Sequence, residues 1–128
     1  MDIVDVADVE DSVAQFGERY LRRVFSAAEL EECSNGTDMR RLAAHFAAKE
    51  ATFKAIGTED DAIDWRSVEV RLGASGNTTV ELSGPALGLA TRAGIVTVVA
   101  SVGTTRRHAT ALVVAERSPE AGPEAGEV

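Results

Sequence analysis

Residues 39–56, MRRLAAHFAAKEATFKAI, contain neither glycine nor proline, and a glycine stands at 57. Nearly all are good helix formers, Thr37 or Asp38 can cap the start, and Gly57 can close the end. The pattern predicts a helix of about five turns. Leu42, Phe46, Phe53 and Ile56 form one apolar stripe, and Ala47, Ala48 and Ala51 let a neighbouring element approach the backbone closely. Aromatic residues are scarce (one Trp, one Tyr and four Phe), so Ala and Val do most of the filling. A long helix with such short side chains suits tight packing on a sheet, and the remaining chain has to supply that sheet.

The strands it would supply can be read from alternation. DIVDV (2–6) has the period of a strand with one face buried. Along ADVEDSVAQFGERYLRRVF the spacing of Val9, Val13, Phe16 and Tyr20 becomes helical, with Gly17 a break. SAAELEEC opens on a capping box, Ser26 with Glu29, and SNGT is a turn. WRSVEVRL (65–72) and TTVEL (78–82) read as strands joined through GASGN in a hairpin. GPALGLATRAGI (84–95) reads as a short helix with Pro85 in its first turn. VTVVASVG and HATALVVAE are two final strands joined around TTRR. The tail RSPEAGPEAGEV is too poor in apolar residues to pack and is expected to be disordered, which leaves one domain over 1–116. Helices come early and strands late, so the class is α+β: a small single domain with one long helix on a largely antiparallel sheet.

Bulk properties narrow the function. A net charge of −8 over 128 residues argues against nucleic-acid binding, which needs a surplus of Lys and Arg on phosphates. A local basic patch, ERYLRR, remains. The single cysteine, Cys33, excludes an intrachain disulfide and fits a reducing cytoplasm, and its acidic neighbours disfavour a thiolate. No stretch has the roughly 20 apolar residues of a membrane span, and no signal peptide is apparent. The expectation is a soluble cytoplasmic protein.

The chemistry candidates lie in the long helix. Glu50 and Lys54 are one turn apart on one face; read alone, they are a surface ion pair contributing about 0.3–0.5 kcal/mol. Asp2, however, lies on a strand that can pack beside this helix. Two carboxylates from different elements, with no Cys/His cluster, suit a hard cation such as Mg²⁺. Such an ion keeps several waters and is usually completed by a substrate phosphate, with a nearby lysine stabilising the transferring group.

DIVDV, then FSAAEL, then RLAAHFAAKEATFKAIG, resembles the holo-acyl carrier protein synthase type of 4′-phosphopantetheinyl transferase. DWRSVEVRLGASGNTTVELSGPALGLATRAGI resembles that family's middle strands and following helix. The likeness covers most of residues 2–116 in order, and HFAAKEATFKAIG is its most specific part. It implies transfer of the phosphopantetheine arm of coenzyme A to a serine of an acyl or peptidyl carrier protein of lipid or polyketide biosynthesis, with Mg²⁺. It also implies a homotrimer with active sites at subunit interfaces. By this resemblance Asp2 and Glu50 hold the metal, and Glu50 helps deprotonate the serine. Lys54 stabilises the pyrophosphate, and Lys49, His45, Gly57, Thr104 and Thr105 lie on the substrate side. Arg19, Arg22 and Arg23 supply a basic face for the carrier.

Departures from the family pattern accompany it. Asp8 stands where an arginine that contacts the acidic carrier is common. His45 replaces an arginine, and Gly103 and Thr104 replace the second serine and the histidine of a Ser-x-Ser-His run. His108, where an aromatic residue is common, reads as structural. Met1 directly precedes Asp2, so the first strand is expected to be clipped or to continue from an upstream start. A family member that binds a carrier or a partner subunit without catalysis is the alternative reading.

Overall fold

A computed structural model describes residues 1–57, 63–73 and 78–119. The long helix forms as its sequence dictates. It is α4, Met39–Ile56; the Asp38 side chain accepts from the Arg41 N–H, and Gly57 closes it at φ 87°. Only a residue without a Cβ adopts that left-handed conformation without strain. The other elements are β1 (Asp2–Asp5), α1 (Val6–Phe16), α2 (Glu18–Val24), α3 (Ala27–Glu32), β2 (Val68–Leu72), β3 (Thr78–Leu82), α5 (Gly84–Arg92), β4 (Ile95–Thr104) and β5 (His108–Arg117).

The five strands make one sheet in the order β1-β5-β4-β3-β2, antiparallel at every pairing. α4 lies across it and touches β1, β5, β4 and β2. Ala43, Ala44, Ala47, Ala48 and Ala51 are all buried, as are Ala109 and Ala111 on β5. Small side chains on both surfaces thus let the helix backbone settle close to the strands. Trp65 closes one end of this layer, with its ring 5.0 Å from Phe46 and 5.6 Å from Phe53.

Two expectations need correction. The stretch 65–72 is not strand throughout: Trp65–Ser67 form a 3₁₀ turn before β2 begins. Asp64 causes this, because its carboxylate accepts from the Arg66 N–H at 3.2 Å and its carbonyl from the Ser67 hydroxyl at 2.6 Å. Gly17 (φ 56°, ψ −132°) breaks the helix where expected, between α1 and α2. The ordered chain also passes Glu116: β5 includes Arg117, and the Ser118 N–H donates to the Gly94 carbonyl at 3.0 Å. The rest of the expected tail, from 120, and turn residues 74–77 lie outside the described residues.

Candidate active site

Alternation on β1 decides which of its side chains meet α4. Asp2 and Val4 point to the buried side, Ile3 and Asp5 away from it, and the register sets Asp2 opposite Ala111 and Val4 opposite Ala109. Asp2 is thereby brought under the C-terminal half of α4 with only 8% of its surface exposed. The Lys54 ammonium donates to Asp2 Oδ1 at 2.6 Å, so the lysine's ion pair crosses to the strand. This contact raises the Lys54 pKa above its usual value. Asp2 Oδ2 is buried and has no hydrogen-bond partner among the described residues.

Glu50 lies close enough to feel that carboxylate. Burial first and Asp2 second raise its pKa, against an opposing pull from Lys54. It opens into a cavity of about 380 Å³ lined also by Ile3, Val4, Asp5, Asp8, Val9, Ser12, Tyr20 and Phe46. Burial and the Glu50 charge push the Tyr20 hydroxyl up to about 12, so it stays protonated and can only donate its hydrogen to an anion. Tyr20 lines this cavity, a place that its helical spacing in the sequence did not mark. Two neighbouring carboxylates with an unsatisfied buried oxygen suit a hard cation. No cluster of three or more Asp, Glu, His or Cys that could hold a metal exists among the described residues. A cation on this pair would therefore keep most of its coordination sphere for water or phosphate oxygens.

Lys49 and His45 face elsewhere, which corrects their assignment to the substrate side. β2 is an edge strand, and its outward backbone groups need partners. Glu29 accepts from the Val70 N–H at 2.8 Å and Glu32 from the Leu72 N–H at 3.1 Å. The buried Lys49 donates to the Val68 carbonyl, to the Trp65 carbonyl at 2.8 Å and to Glu29 Oε1 at 2.9 Å. Its three protons are spoken for, and none is left for a phosphate. Burial lowers the Lys49 pKa, with Glu29 opposing. Burial pushes the Glu29 carboxyl up, but the facing His45 ring, Lys49 and the Val70 N–H outweigh it and hold the pKa low. His45 is fully buried, its nitrogens 3.5 Å from Glu29 and from Glu32. An internal lysine and histidine on an alanine-rich helix were the available signal, since buried charges need partners. The capping box marked Glu29, but as a cap alone.

Gly57 ends α4 just beyond Lys54. Thr104 and Thr105 lie at the other end of the helix, where Arg40 Nε donates to the Thr105 carbonyl at 3.1 Å. Ten residues of helix separate Arg40 from Glu50, or about 15 Å. The Thr105 hydroxyl accepts from the His108 N–H at 3.0 Å and so holds the β4–β5 turn. Thr104 borders a cavity of about 220 Å³ with Arg41 and Gly103. One chain therefore does not bring these threonines to Glu50. Arg19, Arg22 and Arg23 are exposed on α2, with Arg22 on Glu18 at 3.1 Å. His108 pairs with Asp5 at 3.0 Å, a structural contact between paired strands. Cys33 is buried, and burial pushes its thiol up to about 12.

Residues 1–113 match a family model described as the 4′-phosphopantetheinyl transferase superfamily. A holo-[acyl-carrier-protein] synthase of Rhodopirellula baltica is 36% identical over 114 residues, 88% of this chain and 91% of that protein. The crystal structure of holo-[acyl-carrier-protein] synthase from Neisseria meningitidis superposes with a TM-score of 0.78 at 33% identity, covering 91% and 94% of the two chains. That of Helicobacter pylori holo-[acyl-carrier-protein] synthase in complex with coenzyme A gives 0.77 at 25% identity, covering 90% and 96%. No helix among the described residues is long and apolar enough to cross a membrane.

Proposed function

The chain belongs to the 4′-phosphopantetheinyl transferase superfamily and is a phosphopantetheinyl transferase, and we propose from that premise that it loads an apo acyl or peptidyl carrier protein from coenzyme A at Asp2, Glu50 and Lys54. The observation that carries the assignment is Asp2: nearly buried, one oxygen on Lys54, the other unpartnered, with Glu50 close by.

In this reading the serine oxygen of the carrier attacks the phosphorus next to the pantetheine arm. That P–O bond forms as the bond to the adenosine 3′,5′-bisphosphate breaks. Asp2 and Glu50 would hold Mg²⁺, which would supply charge neutralisation to the substrate's phosphates. Glu50 accepts the serine proton, directly or through a water. Lys54 stands one turn away, and its raised pKa keeps it charged, so that it stabilises the developing negative charge.

The wide gap between Glu50 and Thr104 supports a shared cleft, in which Thr104 and Thr105 of one copy serve the Glu50 of another. The outer sheet face supports a homotrimer, since Ile3, Val99, Leu112 and Val114 each stand about half exposed or more. Adjacent bare apolar side chains are the mark of a covered surface. Arg19, Arg22 and Arg23 form a basic face for the carrier. The test is incubation with coenzyme A and an apo carrier protein, with Mg²⁺ or with a chelator. A gain of one phosphopantetheine by mass spectrometry only when Mg²⁺ is present supports the assignment, and transfer that ignores the chelator contradicts the metal role.

A further inference from the structure

The cavity beside Glu50 has an acidic rim. Asp5 and Asp8 line it together with Glu50, and no lysine or arginine is among its lining residues. Asp5 is engaged by His108 Nε2 at 3.0 Å, whereas Asp8 is exposed in the first turn of α1. Glu10 and Asp11 continue exposed along the same helix. The next helix carries the opposite sign, with Arg19, Arg22 and Arg23 exposed on α2. The chain as a whole has a net charge of −8, which repels an acidic partner at long range. A serine that enters this cavity to reach Glu50 brings its flanking residues near Asp5 and Asp8, which line it. Like charges there would be penalised and opposite charges favoured. The apolar walls at Val9 and Phe46 can receive the methylene stem of a long basic side chain while its charge stays at the rim.

We propose that the carrier protein served by this site presents a lysine or arginine within about one helical turn of its acceptor serine, and that Asp8 selects the carrier by pairing with that cation. The inference rests on the transfer reading above and names the partner's chemistry at the same site.

Two apo carrier proteins that differ only in the residues flanking the serine, lysine in one and glutamate in the other, provide the test. Affinity is read by fluorescence anisotropy of the labelled carriers, and transfer as kcat/KM by mass spectrometry. The lysine form is expected to exceed the glutamate form by about tenfold or more in affinity at low salt, with the margin shrinking as salt rises. Asp8→Lys is expected to abolish or reverse the preference. Should that variant fold poorly, Asp8→Asn, close to isosteric, is expected to erase it. Equal affinities, a glutamate preference, or a preference unchanged in the Asp8 variants would overturn the proposal. Lysine-selective binding without transfer to either carrier supports this docking and removes the transfer reading. Transfer without selectivity does the reverse.

Discussion

Glu29 illustrates how much one residue can carry while lying outside the reacting groups. Its carboxylate holds Lys49, faces His45 and accepts from the β2 edge. Glu29→Gln leaves Lys49 buried without its counter-charge and is expected to cost about 3–5 kcal/mol, read from denaturant unfolding near neutrality. The pH dependence has a definite sign. Glu29's folded pKa lies below the ordinary 4.5, so the unfolded chain binds the proton more readily. Its contribution is complete above that ordinary value and is lost as pH falls through the lower folded one. Unfolding experiments on the acid side should therefore show a steeper decline for the wild type than for Glu29→Gln. Cys33 makes a simpler prediction: with a thiol near 12 and no exposure, it should resist alkylation in native protein and react once denatured. The sequence showed Cys33's inertness through its acidic neighbours, although burial is the larger cause. The partners of Lys49 were not legible, because β2 and α3 meet α4 only through long-range packing.

At the scale of elements, local signals held where the chain decides locally. Asp38, the eighteen helical residues and the left-handed Gly57 delimit α4 as the sequence suggests. An alanine at 57 would meet nothing within 4 Å, so its cost is conformational alone. Gly57→Ala is expected to lower stability by about 1 kcal/mol, read from the denaturation midpoint. Alternation in DIVDV likewise marked a strand with one buried face, and Asp2 lies on that face. What alternation could not show was that Lys54 reaches Asp2 at 2.6 Å, since Glu50, its neighbour on the helix, was the nearer partner by sequence. The start of β2 was misjudged for a local reason, the Asp64 cap, whose side-chain hydrogen bond competes with strand pairing.

For the whole molecule, the sheet's inner face is filled by α4 while Leu112, Val114, Val99 and Ile3 stand on the outer one. Leu112→Asp places a charge in that patch and should convert a trimer into monomers by light scattering while leaving the fold intact; a wild-type chain that is already monomeric would contradict the shared cleft. The acidic α1 and basic α2 were visible as residue types in the sequence, yet only the fold put Asp8 on the rim of the Glu50 cavity. The most direct test of the central claim compares wild type with Glu50→Ala, given coenzyme A, Mg²⁺ and an apo carrier protein, by the mass of the carrier. The expected result is one phosphopantetheine added per carrier by the wild type and a rate at least about a hundredfold lower in the variant. No addition by the wild type on any carrier, or equal rates for the two proteins, would contradict it.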